Sequence, residues 1–188
     1  MGKLLNPPLR ILLKADFLVL VAAAMILPYY SSYVAIIGGS LLDAGVGAGV
    51  FAVFAAVASL IAGVYADGIK KKSSFVALGY LGMAIGFLAM GFLRDTMQLM
   101  IVQAFIGLVS ASYQPAYDAL FTEHIGSRKK ASSRWAVWES TNHISIAIGA
   151  ILGAVIVDQF GFLHLFIATM IICLCSAAYL GMFRSRYV

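Results

Sequence analysis

The sequence predicts an all-α integral membrane protein with six transmembrane helices and short loops. Of its 188 residues, 62% are hydrophobic and only 11% are charged, whereas about a quarter of the residues in a soluble domain are charged. Six apolar stretches follow one another, each close to the ~20 residues that a helix needs to cross the hydrocarbon core. They are expected at about residues 13–37, 44–66, 75–93, 97–121, 135–157 and 162–183. No soluble domain of useful size fits beside them.

The first span contains a proline near its carboxyl end. Pro28 removes a backbone donor from the helix and is expected to kink it. Of the tyrosines that follow, Tyr29 and Tyr33 either anchor the helix at the membrane interface or line a cavity. The apolar stretch from Ile11 onward is longer than the core of a signal peptide, so we expect it to be retained as a span.

The second span is rich in small residues, including Gly45, Gly47, Gly49 and Gly63. Small side chains let helices approach closely in lipid, where burial of apolar surface does not drive association. This helix is therefore predicted either to pack tightly against its neighbours or to lie at an interface.

The third span ends at the charged pair Arg94-Asp95, and the fourth span carries polar residues along one helical face. These polar residues are Gln103, Ser110, Gln114, Tyr117 and Asp118. In a membrane such a face either makes hydrogen bonds between helices or lines a water-filled cavity. We take Gln103, Ser110 and Gln114 as candidates for a substrate cavity.

The fifth span carries Glu139, Asn142 and His143, which occupy adjacent turns of one helical face. An ionisable carboxylate inside a span, with a histidine one turn away, is a candidate site for proton coupling. Asn142 is a further candidate for the cavity. For Asp16 and Asp118, which lie closer to the helix ends, salt bridges are expected instead, to Lys14, Arg128 or Arg134.

The basic residues predict the topology of the chain. If the six spans alternate in direction, twelve of the thirteen lysines and arginines fall on one side of the membrane and only Arg94 on the other. Such a bias marks the cytoplasmic side. Both termini are therefore expected in the cytoplasm, in a bacterial or archaeal plasma membrane.

Several functions are not supported by the sequence. The net charge of +5 comes from lysines and arginines that lie between the apolar spans and near the chain ends, and these residues do not form one continuous basic surface. No nucleic-acid partner is therefore expected. Cys173 and Cys175 lie two residues apart and point in different directions on a helix, so they are expected to pack as core residues. No metal, no cofactor and no enzymatic activity is predicted.

The segment between the second and third spans resembles the signature of the major facilitator superfamily. That signature has the form Gly-x-Leu-Ala-Asp-Arg-x-Gly-Arg-Lys, and the matching residues here are Gly63, Ala66, Asp67, Lys71 and Lys72. The turn departs from the pattern at Gly68 and Lys70. The resemblance implies that the chain is one six-helix half of a twelve-helix fold.

Further segments along nearly the whole chain resemble the same family, most closely its drug:proton antiporter branch. They are Leu27-Pro28, the loop from Glu123 to Ala131, the stretch 149–153 and the stretch 160–166. Two departures concern antiport: Gln103 stands where such antiporters carry an arginine, and Ala150 stands where they carry a proline.

The resemblance implies a secondary transporter that alternates access to a central site, with proton-coupled export of small organic or drug-like compounds. A facilitator or symporter for a neutral metabolite and a non-transporting scaffold subunit are the alternatives. The resemblance also implies a cytoplasmic gate at the positions that match the family signature. Its members would be Gly63, Asp67, Lys71 and Lys72, with Arg128 or Arg134 as partners. Because the family has two halves, we expect a second six-helix half, supplied by a homodimer if the chain is complete.

Overall fold

The computed structural model describes residues 5–65, 68–125 and 131–187, with side chains up to residue 183. The helices are α1 (Pro7–Ile26), α2 (Tyr30–Ile36), α3 (Leu41–Tyr65), α4 (Lys72–Met90), α5 (Thr96–Glu123), α6 (Ala131–Phe160) and α7 (Phe162–Tyr187). A 3-10 turn at Leu27–Tyr29 joins α1 and α2 into one span, which gives six spans long and apolar enough to cross a membrane. In these ranges no strand occurs, and the predicted all-α class with six spans is confirmed.

The first span begins at Pro7 and not near residue 13, because the sequence just before the apolar stretch starts a helix. The Asn6 side chain accepts a hydrogen bond of 3.2 Å from the backbone N–H of Leu9, and prolines occupy the first helical positions. Both features are favoured at helix N-termini. Pro28 lies in the 3-10 turn that interrupts this span.

Helix α1 lies at the centre of the unit and is buried on most sides. It packs against α6 and α7. The Ser176 hydroxyl of α7 donates a hydrogen bond of 2.6 Å to the Ala15 carbonyl of α1. Hydrogen bonds of this kind are among the forces that hold helices together in lipid, where the hydrophobic effect is absent.

Two glycines of α6 allow its backbone to lie directly against that of α1. A Cβ atom built on Gly149 would lie 2.6 Å from the carbonyl oxygen of Val21, and one on Gly153 would overlap the carbonyl oxygen of Met25. Real Cβ atoms do not approach that closely. Gly149 and Gly153 therefore determine how short the distance between the backbones of α1 and α6 can be.

Helices α3 and α6 are the least buried spans. In their most apolar stretches only 17% of residues are buried, against 56% in the first span. Helix α3 packs chiefly on α5, and α6 chiefly on α1. The small residues of α3 are divided between two sides: Gly47 contacts the Tyr30 hydroxyl, whereas Gly45, Gly49 and Gly63 face open space. Close packing therefore occurs on one side of α3, and the other side is uncovered.

Candidate functional site

A cavity of about 330 Å³ lies between α1, α3, α4 and α5. Most of its wall is apolar, with Phe51, Phe87 and Met83 among the lining side chains, and polar atoms come from Gln103 and Ser110 among others. Apolar walls with a few polar groups are the usual composition of sites for small organic molecules, which range from about 300 to 1,000 Å³.

Tyr30 brings an unsatisfied hydroxyl to this cavity. The oxygen is buried and has no hydrogen-bond partner within the described parts of the chain. The Gln103 side chain is close enough to interact with it, but without the geometry of a hydrogen bond. A Cβ atom on Gly47 would overlap the hydroxyl, so the glycine makes the room for it. Because a buried hydroxyl without a partner is costly, a polar atom of a bound solute would be stabilised here.

Two of the six predicted cavity residues, Gln103 and Ser110, line this space. The Tyr29 hydroxyl instead donates 2.8 Å to the Ala150 carbonyl of α6, and Tyr33 is buried, where its hydroxyl donates to the Met90 carbonyl. Both tyrosines thus join their span to other helices.

The remaining two cavity candidates also lie elsewhere. The Gln114 amide donates 3.1 Å to Oδ1 of Asp118, one turn away on the same helix. Asn142 is half-buried on α6. Neither side chain is among those that line the cavity between α1, α3, α4 and α5.

Glu139 and His143, the candidates for proton coupling, form a pair on α6. Nε2 of His143 lies 3.4 Å from Oε1 of Glu139, and their side chains are 70% and 55% exposed, respectively. Neither side chain is therefore buried in the six-helix unit by itself. An exposed ionisable pair in an apolar span needs water or protein beside it.

The predicted gate falls partly outside the described residues. Asp67 and Arg128 belong to the stretches 66–67 and 126–130, which are not described. Gly63 lies near the end of α3 with open space beside it. Lys71 is exposed at the start of α4, where its carbonyl oxygen accepts the first backbone hydrogen bonds of the helix.

The other two gate candidates have partners within the unit. Nζ of Lys72 lies 2.7 Å from Oε1 of Glu123, so the start of α4 is paired with the end of α5. Arg134 is buried, and its guanidinium donates to the Ile125 carbonyl just after α5. A cation at that end of a helix interacts favourably with the helix dipole.

Asp16 forms a cluster that the sequence did not reveal. The expectation of a salt bridge from Asp16 to Lys14 is wrong, because Asp16 is buried, with 4% of the residue exposed, while Lys14 is exposed. The Trp138 indole N–H donates 2.8 Å to Oδ2 of Asp16, and the Tyr80 hydroxyl donates 3.3 Å to Oδ1. The one signal in the sequence was an acidic residue within an apolar stretch.

The described residues form six spans long and apolar enough to cross a membrane, and four of these spans border an apolar cavity with a few polar groups. The chain belongs to the Major Facilitator Superfamily, because the sequence model of that family matches residues 15–187. The predicted resemblance is confirmed. Since this is a family of transporters, the prediction that the chain is not an enzyme is confirmed as well.

Several curated proteins are similar to the chain. "Multidrug resistance protein MdtG" of Citrobacter koseri is 30% identical over 166 residues, which cover 86% of this chain and 40% of the relative. The MdtG protein of a Rahnella species is 29% identical over 180 residues, covering 92% and 42%. An "Uncharacterized MFS-type transporter" of Methanocaldococcus jannaschii is 24% identical over 145 residues, covering 77% and 37%. The chain thus spans about two fifths of the length of these relatives.

Proposed function

We propose that this chain is one half of a secondary transporter that exports small amphipathic or cationic organic compounds in exchange for protons. The cavity between α1, α3, α4 and α5 binds the compound. Access to it alternates between the two sides of the membrane as the two six-helix halves rock against each other.

The observation that carries the proposal is the composition of the cavity. About 330 Å³ of apolar space suits the body of a small organic molecule. The buried Tyr30 hydroxyl and the Gln103 amide supply the polar contacts that orient it. The names of the MdtG relatives, multidrug resistance proteins, support the same substrate class.

The exposed pair on α6 supports a second six-helix half. Glu139 and His143 would face lipid if α6 were the outer surface of the protein, and charged groups in hydrocarbon are unfavourable. A second half against α6 and the open side of α3 would cover them. We propose a second copy of this chain, because two halves inserted in the same direction form a twofold dimer with one shared interface.

Covering α6 would also create the coupling site. Once the second half excludes water, the Glu139 carboxyl takes up and releases a proton as the cavity changes sides, and His143 assists. The bias of the basic residues towards one side supports cytoplasmic termini in this arrangement. For the cytoplasmic gate we propose Asp67 as the acidic residue, Gly63, Lys71 and Lys72 as further members, and Arg128 or Arg134 as partners.

Reconstitution into proteoliposomes tests the proposal. A fluorescent organic cation is supplied outside, and its accumulation is followed after an imposed proton gradient. We expect accumulation to be lost in Gln103→Leu, which removes the amide from the cavity, and kept in Gln159→Leu, an exposed position of α6.

A second pair of variants tests the coupling. Glu139→Gln should abolish the response to the proton gradient, whereas Asp158→Asn, also exposed on α6, should keep it. Proton-driven uptake that survives Glu139→Gln would favour a carrier of a neutral metabolite. No flux of any solute, together with a protein that co-purifies, would favour a scaffold subunit.

A further inference from the structure

A groove of about 570 Å³ lies over α1, between the first half of α6 and the last third of α7. Most of its lining is apolar, with Phe17, Leu18, Val137, Ile144 and Tyr179 among the side chains. Helices α6 and α7 are joined at Gly161, so the groove lies at the end of the pair far from their connection. Among the described residues, it shares no lining side chain with the cavity between α1, α3, α4 and α5.

Two cations mark one end of the groove. Arg10 and Lys14 line it, are both exposed and lie one turn apart on the same face of α1. Nε of Arg10 donates 3.1 Å to the Leu5 carbonyl, which holds the guanidinium at this end. The Lys14 ammonium has no ion-pair partner in the parts of the chain that the structure describes. A negative group at this end would therefore be attracted by both side chains.

The length of the groove matches one leaflet of a membrane. From Arg10 to Leu18 the helix advances by roughly 12 Å, at 1.5 Å per residue, and the hydrocarbon of one leaflet is about 15 Å deep. The apolar lining begins beside the two cations and continues towards the middle of the span. A molecule that fits this space has a negative head near the membrane surface and a hydrocarbon chain below it.

We propose that the groove binds one anionic phospholipid. The phosphate lies between the Arg10 guanidinium and the Lys14 ammonium, which both donate hydrogen bonds to phosphate oxygens. One acyl chain lies along Phe17, Leu18 and Ile144. Basic pockets between spans bind anionic headgroups at the cytoplasmic face, where such lipids are concentrated. The beginning of α1 belongs to the side on which twelve of the thirteen basic residues are expected, which agrees with that leaflet.

A second copy of the chain fits the groove less well than a lipid does. In a twofold dimer the same surface of both copies would meet, so the Arg10 and Lys14 side chains of the two copies would approach each other. Like charges that face each other oppose association. The proposed second half also lies elsewhere, because Glu139 is two positions from both Val137 and Thr141, or roughly 200° around α6. The lipid site therefore does not depend on the proposed function.

Native mass spectrometry of the whole chain in a mild detergent tests the headgroup contacts. Dioleoylphosphatidylglycerol and dioleoylphosphatidylcholine are titrated separately, and the affinity of the first bound lipid is measured. We expect the anionic lipid to bind about twentyfold more tightly, and Arg10→Gln and Lys14→Gln each to weaken its binding about fivefold, because each cation near an anionic headgroup adds to the affinity. Lys70→Gln, at an exposed lysine of the same side, is the matched control and should bind as wild type does.

A filled groove tests the place of the acyl chain. Thr141 lines the groove and is half-buried, so the ring in Thr141→Phe would occupy the path of the chain. We expect this variant to bind both lipids more weakly. Ile151→Phe, at an exposed position of α6 outside the groove, should bind both as wild type does. If Thr141→Phe does not fold, Lys14→Gln still decides, because it changes only an exposed side chain.

Other results would overturn the inference. Equal affinities of wild type for the two lipids would show that the groove does not select a charged headgroup. A loss in Lys70→Gln equal to that in Lys14→Gln would show attraction to the basic surface at large. Displacement of the lipid by an equal concentration of glycerol 3-phosphate would show a site for the phosphate alone. Dimers crosslinked through Leu18→Cys, in a chain whose two native cysteines are alanine, would show that a second copy occupies the groove.

Discussion

Nζ of Lys72 lies 2.7 Å from Oε1 of Glu123 and ties the first residue of α4 to the last residue of α5. Lys72 belongs to the segment that resembles the family signature. Its ion pair lies within the six-helix unit, so this base holds two helices of one half together. The signature segment therefore has a structural role on the side of α4 and α5, in addition to the gate proposed at Asp67.

Reversing the charge of Lys72 should destabilise the unit by a small amount. The lysine side chain is 15% exposed and the glutamate 51%, and partly exposed ion pairs are worth about 0.2–1 kcal/mol. We expect Lys72→Glu to lower the thermal midpoint in detergent by a few degrees, and Lys72→Glu with Glu123→Lys to restore it. Equal midpoints for the single and double variants would show that the pair contributes nothing.

Side chains at the glycines of α6 should separate it from α1. Gly149→Ala and Gly153→Ala each place a Cβ atom against a backbone carbonyl of α1, at Val21 and Met25 respectively. Overpacking of this kind costs about 1–3 kcal/mol, measurable as a lower thermal midpoint. Gly181→Ala on α7 is the control, because nothing lies within 4 Å of its Cβ position. A fall in midpoint for the control equal to that of Gly153→Ala would contradict the packing argument.

Filling the cavity should block solute binding without unfolding the protein. Ala23 lines the cavity on α1, and a phenyl ring there would occupy much of its volume. We expect Ala23→Phe to weaken binding of an organic cation at least tenfold, as measured by fluorescence titration. Ala178→Phe, at an exposed position of α7, should bind as wild type does. Undiminished binding by Ala23→Phe would place the solute elsewhere.

Loss of the Arg134 guanidinium should weaken the end of α5. The guanidinium is buried and donates to the Ile125 carbonyl. A hydrogen bond from a charged group contributes about 1.5–3 kcal/mol. We expect Arg134→Leu to reduce the free energy of unfolding by that amount, against no measurable change for Lys71→Leu at an exposed position. If Arg134→Leu is as stable as the wild type, Arg134 does not stabilise the end of α5, and the proposed gate is then the one role left for it.

Cysteines on the open faces of α3 and α6 should crosslink two copies of the chain. In a background with Cys173 and Cys175 replaced by alanine, Gly49→Cys and Ile151→Cys place thiols on these faces. We expect a bismaleimide to link each variant into dimers in membranes. Ile171→Cys, exposed on α7, should stay monomeric. Crosslinking through Ile171→Cys, and not through Gly49→Cys or Ile151→Cys, would show that the second copy binds at α7 and not at α3 and α6.

Local patterns in the sequence predicted those features that depend on neighbours along the chain. Length and hydropathy predicted the six spans, and the spacing of Glu139 and His143 predicted that they share a face, where the structure pairs them at 3.4 Å. The start of the first span was placed too late because the Asn6 cap and the prolines after it precede the apolar stretch.

Features that depend on contacts between distant segments could not be predicted. The partners of Asp16 lie 64 and 122 residues away in the chain, and no local pattern joins them. Tyr30 and Tyr33 look alike in sequence, yet Tyr30 borders the cavity and Tyr33 is buried against Phe166.

The dependence of transport on chain density tests the central claim most directly, namely that this six-helix unit works as one of two halves. Proton-driven accumulation of an organic cation is measured in proteoliposomes at a series of protein-to-lipid ratios, together with the fraction of chains that crosslink through Ile151→Cys. The account predicts that the initial rate per chain rises with the crosslinked fraction and saturates with it. A constant rate per chain down to densities at which no chains crosslink would contradict it, because single six-helix units would then be transporting.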